Sequence, residues 1–244
     1  MIKLTGIADE AGSALDVQIK AHKELGWDSI ECRGVEIDGV KGNLHEIPED
    51  VFEKVCAQLA AANMGVCGFG SLIGNWAKKI TDDFSITEAE LERAIPRMQK
   101  LGAKLIRVMS YAVCKDEAGN DAPEQYEAER FRRMREINKR FNDAGLTMVH
   151  ENCMNWGGMS VDHVHRINEE VPGMKWVFDT GNPVFIPDRK NPGQRQDAWE
   201  MYQAIKPHMV HVHVKDGRWL PEKNDAEYTY PGEGAGQTRR IVED

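Results

Sequence analysis

The sequence has few of the features that mark secreted, membrane-spanning or nucleic-acid-binding proteins. Its five cysteines are an odd number and form no C-x-x-C pair, which is typical of reduced thiols rather than of a disulfide framework. We find no signal-peptide pattern and no apolar run long enough to span a bilayer. Runs rich in Lys and Arg are lacking too, and the formal net charge is −9, which disfavours binding to a phosphate backbone. We therefore expect a cytoplasmic protein without membrane or nucleic-acid partners.

What is present is the composition of an ordinary globular protein. Of the 244 residues, 41% are hydrophobic and 29% are charged, which is enough for one large α/β domain or two small ones. No low-complexity linker divides the chain. The sequence therefore predicts a single domain over residues 1–244.

A repeated pattern of helix, glycine and short apolar strand runs through the chain. It occurs at Gly26, Gly65, Gly102 and Gly145, about 40 residues apart. Glycine just past a helix end takes the left-handed conformation that other residues resist. Each repeat therefore reads as one β/α unit, and such units imply parallel strands joined by right-handed crossovers.

This pattern predicts seven strands and six helices between them. We expect strands at 2–8, 27–32, 65–70, 104–110, 146–151, 174–179 and 208–214, and helices near 12–25, 48–63, 86–101, 124–144, 160–171 and 195–206. Ser85 and Thr87 stand at capping-box spacing ahead of Glu88 and Glu90 at the start of the third helix. No G-x-G-x-x-G follows the first strand, so an α/β barrel is favoured over a dinucleotide-binding sheet. Because residues 239–244 read as the middle of a seventh helix, we expect the eighth β/α unit of a (β/α)8 TIM barrel to be absent.

Polar residues follow nearly every predicted strand, on the face where barrels carry their active sites. In the last strand, His211 and His213 alternate with valines, which we expect to be buried on the opposite face. Two earlier strands end in Glu151 and Asp179. Two carboxylates and one imidazole suit a divalent cation, although histidines in such a strand also occur as hydrogen-bonded core residues.

Four motifs in this order resemble the sugar isomerase/epimerase superfamily of xylose-isomerase-like TIM barrels. They are V-H-E-N at 149–152, F-D-T-G-N at 178–182, H-V-H-V-K-D at 211–216 and Y-P-G-E-G at 230–234. The resemblance implies one divalent metal ion, Mn, Mg, Co or Zn, with Glu151, Asp179 and His213 as ligands. The family's fourth ligand ends an eighth strand and has no counterpart here, since Glu233 lies in a loop where the family has no ligand.

The resemblance also implies an enzyme of carbohydrate metabolism. We expect an isomerase or epimerase of a small sugar or sugar phosphate that acts through an enediolate, with Glu151 as the base. A dehydratase acting on a polyol-derived ketone would use the same ligands. A non-catalytic sugar-binding protein is a further alternative, whereas a DNA-repair endonuclease of this superfamily would need a basic groove and more histidines at strand ends.

Further residues are candidates for contacting a small sugar substrate. They are Glu31, Arg33, Trp156, Asn182, Lys215 and Arg218. For Glu31 the alternative is a salt bridge at the surface or the barrel rim, and for Trp156, beside Gly157 and Gly158, it is packing within a loop. We expect His211 to lie deeper than His213, and the open edge of the last strand to favour a homo-oligomer.

Overall fold

The computed structural model describes residues 2–244, which divide into two compact units. The first comprises residues up to 73 together with 83–108 and 139–148. The second comprises 74–82, 109–138 and 149–244. Among the helices at residues 2–244, none is both long and apolar enough to cross a membrane.

The first unit alternates helices with parallel strands and adds one hairpin. Its elements are α1 (Leu15–Glu24), β1 (Ser29–Cys32), β2 (Gly34–Ile37), β3 (Val40–Asn43), α2 (Glu49–Ala61), β4 (Gly65–Gly70), α3 (Phe84–Leu101) and β5 (Leu105–Arg107). Strands β1, β4 and β5 pair in parallel in that order. The antiparallel hairpin of β2 and β3 was not predicted from the sequence.

The second unit continues the alternation and carries a second hairpin. Its elements are α4 (Glu127–Asp143) and β6 (Thr147–Glu151), which each extend into the first unit, then α5 (Val161–Glu170), β7 (Lys175–Asp179), α6 (Asn182–Phe185), α7 (Ala198–Ile205), β8 (Met209–His213), β9 (Asp216–Leu220), β10 (Asp225–Thr229) and α8 (Thr238–Glu243). Residues 149–151 of β6 pair in parallel with β7, and β7 pairs in parallel with β8. The antiparallel hairpin of β9 and β10 follows β8 directly.

Three local predictions in the first unit are wrong. Residues 2–8 form no strand, because this segment bridges β1 only at Ile7 and then turns into a 3-10 helix at Ala8–Glu10. The cap of α3 is Asp83, which has extended backbone angles and accepts the N–H of Ser85 at 2.9 Å. At the end of α2 the left-handed residue is Asn63, with φ of 50°, and Gly65 already begins β4.

The valine face predicted for β8 is also wrong. Val210 is 46% exposed and Val214 is 51% exposed. The pairing of β8 with β7 contains a bulge, in which Met209 lies opposite Trp176 and His211 lies opposite the next residue, Val177. Val210 is the extra residue of this bulge, and Val214 follows the last residue of β8, so neither packs in the regular manner of a sheet.

Asp216, the first residue of β9, holds the loop that follows the second hairpin. Its carboxylate accepts backbone N–H groups from Gly217 at 2.8 Å, Gly232 at 2.8 Å, Gly234 at 3.1 Å and Gly236 at 2.9 Å. Burial acts to raise the pKa of Asp216, but these four donors outweigh it and lower the pKa. A Cβ at Gly234 would lie 2.3 Å from Asp216 Oδ1, so the close approach of the backbone requires glycine there.

We expect Asp216→Asn to destabilise the protein by roughly 2–4 kcal/mol, because an amide has one acceptor oxygen and cannot satisfy four donors. The thermal midpoint should fall by roughly 5–10 °C. Asp225→Asn is the matched control, since Asp225 is exposed and accepts only the N–H of Ala226. Equal melting curves for the two variants would contradict the role assigned to Asp216.

A second prediction concerns His163 on α5. Burial, aided by the charge of Arg189, lowers its pKa from the ordinary 6.5 to about 4. Between these values the unfolded chain binds the proton and the folded protein does not, so stability should decrease as the pH falls from about 6.5 to about 4. We expect a loss of roughly 1–2 kcal/mol over that range after solvent screening, which His163→Gln removes. Urea unfolding at several pH values measures it, with the exposed His165→Gln as control; an unchanged pH slope in His163→Gln would refute the assignment.

Candidate metal centre

Three neighbouring strands of the second unit end in groups able to bind a metal ion. Glu151, Asp179 and His213 are the last residues of β6, β7 and β8, and all three are buried. His213 Nδ1 lies 3.3 Å from Glu151 Oε1 and 3.8 Å from Asp179 Oδ2. The three sequence-predicted ligands therefore lie together.

The bulge in the β7–β8 pairing sets this arrangement. After it, the two strands run in step, with Val177 opposite His211 and Asp179 opposite His213. A pairing slipped by one residue would turn the histidine to the other face of the sheet. The bulge thus places the imidazole of His213 on the same side as the carboxylate of Asp179.

Asp179 is held from both its backbone and its side chain. Asn152 accepts the N–H of Asp179 at 2.7 Å and donates its amide to the carbonyl of Asp179 at 2.9 Å. On the side chain, Oδ1 accepts the N–H groups of Gly181 at 2.9 Å and Asn182 at 3.0 Å. These contacts fix the carboxylate, so that Oδ2 is directed at His213 and Lys215.

Charge in the site is partly balanced by one lysine. The Nζ of Lys215 lies 3.0 Å from Asp179 Oδ2. Burial lowers the pKa of Lys215, but the charge of Asp179 outweighs burial and raises the pKa overall. Burial is also the main cause that raises the pKa of Asp179, against the opposing effect of Lys215. For both residues burial favours the neutral form, and the ion pair between Lys215 and Asp179 favours the charged form.

These residues fit a divalent cation. Asp179 Oδ2 is buried, and the ammonium of Lys215 lies 3.0 Å from it. One ligand atom each of Glu151, Asp179 and His213 lies within 4.8 Å of the other two. Carboxylate oxygens and an imidazole nitrogen at such spacing match the donor sets of Zn²⁺ and Mn²⁺ sites, whose bonds are about 2.0–2.2 Å long.

Two predicted substrate contacts lie beside these ligands. Asn182 directs its side-chain amide to Glu151 Oε1 at 3.3 Å and is only partly buried. Lys215 is also only partly buried, and its backbone N–H and carbonyl both bond to the hydroxyl of Thr180, at 2.9 and 2.5 Å. Both side chains are therefore fixed next to the ligand set.

Other predicted contacts of the second unit are engaged elsewhere. Arg218 is exposed and pairs with Glu227 at 3.5 Å and with the carbonyl of Glu233 at 3.2 Å. Trp156 is 1% exposed, and its ring packs edge-on against Phe131 and His163. This geometry favours the packing alternative for Trp156.

The glycines after Trp156 support the same interpretation. A Cβ at Gly157 would lie 2.4 Å from Ile167, and one at Gly158 would lie 2.0 Å from the carbonyl of Cys153. Both glycines are buried. They permit tight packing of the segment rather than movement over a site.

The remaining predicted contacts belong to the first unit. Glu31 is a buried residue of β1, and Arg33 donates from Nε to both oxygens of Asp9 at 3.0 Å and from Nη2 to Glu10 at 2.8 Å. Arg33 is therefore engaged in a salt bridge with these two carboxylates.

The expectation that His211 lies deeper than His213 is wrong. His211 is only partly buried, whereas His213 is 6% exposed. Depth along a strand did not decide burial here, because the bulge interrupts β8 between Met209 and His211.

Sequence reasoning missed two residues that support the site. Asn152 and Thr180 directly follow the ligands Glu151 and Asp179, and each bonds to the backbone of a site residue on the next strand or loop. In the sequence, each is a short hydrogen-bonding side chain that directly follows an acidic residue at the end of a strand. That pattern also occurs in ordinary turns, so it did not single them out.

Comparison with solved structures gives the same fold at low sequence identity. A xylose isomerase-like TIM barrel protein from Mycobacterium smegmatis, in complex with magnesium, superposes with a TM-score of 0.72 at 14% identity, covering 98% of this chain and 84% of that one. The probable 3-DHS dehydratase AsbF from Bacillus anthracis has a TM-score of 0.70 at 17% identity, with 99% and 88% covered. The 3-keto-D-glucoside 4-epimerase YcjR from E. coli has a TM-score of 0.66 at 14% identity, with 99% and 85% covered.

Among curated proteins, comparison of the sequence finds no match. The family described as xylose isomerase-like TIM barrel matches residues 19–242, which is nearly the whole chain. This match confirms the fold class predicted from the alternating β/α pattern. The chain belongs to the xylose isomerase-like TIM barrel family.

Proposed function

We propose that the protein is a divalent-metal-dependent isomerase or epimerase of a small sugar or sugar phosphate. The observation that carries this proposal is the buried set of Glu151, Asp179 and His213 at three successive strand ends. The family match supports it, and so do fold neighbours that include an epimerase and a magnesium-containing protein. Active sites of barrels lie at this end of the strands.

Glu151, Asp179 and His213 would hold the ion, which when bound would polarise a sugar carbonyl and make the adjacent C–H more acidic. The carboxylate of Glu151 would accept the proton of that C–H bond. Asn182 donates to Glu151 Oε1 at 3.3 Å and so orients the base. Burial of Glu151 excludes water from the proton it accepts.

Lys215 provides a positively charged side chain in the site. Its Nζ is 3.0 Å from Asp179, and its side chain is 29% exposed, so it can reach substrate as well as the carboxylate. An ammonium in this place suits an oxygen that becomes negative during enolisation, or a phosphate group of the substrate. We therefore assign Lys215 to substrate binding, together with Asn182.

A dehydratase is the second candidate. The same proton removal, followed by loss of a β-hydroxyl, gives elimination of water instead of isomerisation. One fold neighbour is a probable 3-DHS dehydratase, which supports this alternative. The two reactions differ in product and not in the ligand set.

Metal binding is the first test. We expect calorimetric titration of metal-stripped protein with Mn²⁺ to give a site that Asp179→Asn weakens by more than about 100-fold, because the substitution removes one anionic ligand. Asp162→Asn, on the exposed surface of α5, is the matched control and should bind as the parent does. Failure of the folded parent to bind Mn²⁺, Mg²⁺, Co²⁺ or Zn²⁺ would contradict the proposed metal centre.

Proton exchange is the second test. In deuterated water with metal added, a panel of ketoses and their phosphates should include one that gains deuterium at the carbon next to the carbonyl. Glu151→Gln should slow this exchange by roughly 10²–10⁴-fold, because it removes both the base and one anionic metal ligand.

The products then separate the candidates. An isomer or epimer supports the leading proposal, and loss of one water from the deuterated substrate supports the dehydratase. Binding of a sugar with no exchange in any of the panel would instead favour a non-catalytic sugar-binding protein.

A further inference from the structure

A second group of possible ligands lies in the first unit. His45 follows β3, Glu46 is its neighbour, and Glu90 lies on α3. One ligand atom from each lies within 4.8 Å of the others. His45 is 0% exposed and Glu90 is 2% exposed, whereas Glu46 reaches solvent.

The hydrogen bonds of Asn43 decide which nitrogen of His45 faces this group. Asn43 Nδ2 donates to the carbonyl of Gly70 at 2.9 Å, which identifies Oδ1 as the acceptor of that amide. His45 Nδ1 lies in hydrogen-bond contact with this Oδ1, so Nδ1 carries a proton and donates it. Nε2 is then the nitrogen with the available lone pair.

That lone pair is directed at two carboxylates. Nε2 lies 3.6 Å from Glu46 Oε1 and 3.7 Å from Glu90 Oε1, and it has no hydrogen-bond partner. A buried lone pair facing two anionic oxygens is unfavourable unless a cation lies between them. A proton on Nε2 or a metal ion would each place positive charge at that point.

The distances favour the metal ion. An N–H···O hydrogen bond spans about 2.7–3.2 Å, which is shorter than either separation. Two ligands bound to one tetrahedral ion at about 2.1 Å lie about 3.4 Å apart, and wider bond angles place them farther apart. The spacing around Nε2 therefore fits ligands of a shared ion better than a protonated ion pair.

Two further features fit such a site. A metal-binding histidine usually donates its other ring N–H to an oxygen acceptor, as His45 does to Asn43. The exposed side of Glu46 leaves a path and a place for water.

We propose that His45, Glu46 and Glu90 bind a second divalent cation, of the kind that prefers one imidazole and two carboxylates, such as Zn²⁺ or Co²⁺. Its role is structural, because it joins the loop after β3 to α3. It is independent of the proposed catalytic centre and shares none of its ligands.

The test uses the full chain carrying Asp179→Asn, so that the centre at Glu151, Asp179 and His213 is already impaired. Titration with Co²⁺, followed by visible absorption and by calorimetry, should give one bound ion per chain. Adding His45→Gln should weaken this binding by more than about 100-fold. The matched control is His165→Gln, an exposed histidine of α5, which should leave binding unchanged.

Glu46→Gln provides a second variant that keeps the fold, since Glu46 is exposed, and it should also weaken Co²⁺ binding. Thermal melting with Zn²⁺ should show a rise in the midpoint that both ligand variants lose. The proposal is overturned if folded Asp179→Asn protein binds no Co²⁺, or if Co²⁺ binds equally well after both His45→Gln and Glu46→Gln. Failure of Mn²⁺ binding or deuterium exchange at the other centre would leave this result unaffected.

Discussion

The register between β7 and β8 is the constraint on which the candidate site depends. One bulged residue, Val210, brings His213 level with Asp179, and the paired backbone then fixes how far apart their side chains lie. Asn152 fixes the backbone of Asp179, and the N–H groups of Gly181 and Asn182 hold its carboxylate. The site is thus an outcome of strand pairing, and its side chains need little rearrangement to meet an ion.

Burial gives this arrangement its chemical character. A carboxylate removed from water keeps its charge only when a cation is near, and Lys215 fills this role beside Asp179. The same reasoning applies to His45, whose partner Asn43 fixes its tautomer in a fully buried position. In both places the protein orients lone pairs toward one point, which costs stability unless something positive occupies it.

Much of the fold could be predicted from the sequence, because periodicity and helix-ending residues are local signals. The six predicted helices correspond to α1–α5 and α7, and their ends lie within a few residues of the predicted ones. Strands β4, β6 and β7 begin or end where they were predicted to. The hairpins of β2–β3 and β9–β10 were missed, since they interrupt the rhythm of the β/α units. The segment at 2–8 has the composition of a strand but bridges β1 at Ile7 alone.

The site was predictable in part for the same reason. Glu151, Asp179 and His213 each end an apolar run, and parallel strands bring such ends together. The burial of Trp156 and the salt bridge of Arg33 depend on residues distant in sequence, which no local pattern reports. A bulge likewise leaves no mark in the alternation of polar and apolar residues, so the exposure of Val210 and of His211 could not be predicted.

The loop whose glycines bond to Asp216 and the tip of the preceding hairpin are under different sequence constraints. One carboxylate joins the start of β9 to Gly232, Gly234 and Gly236, and the β9–β10 hairpin lies between these fixed points. Residues at the hairpin tip, 221–224, carry no part of this junction. Lengthening the tip adds only the slowly growing entropy of a longer loop. Evolution, or an engineer, can therefore attach new surface there while the contacts of Asp216 with the glycines stay in place.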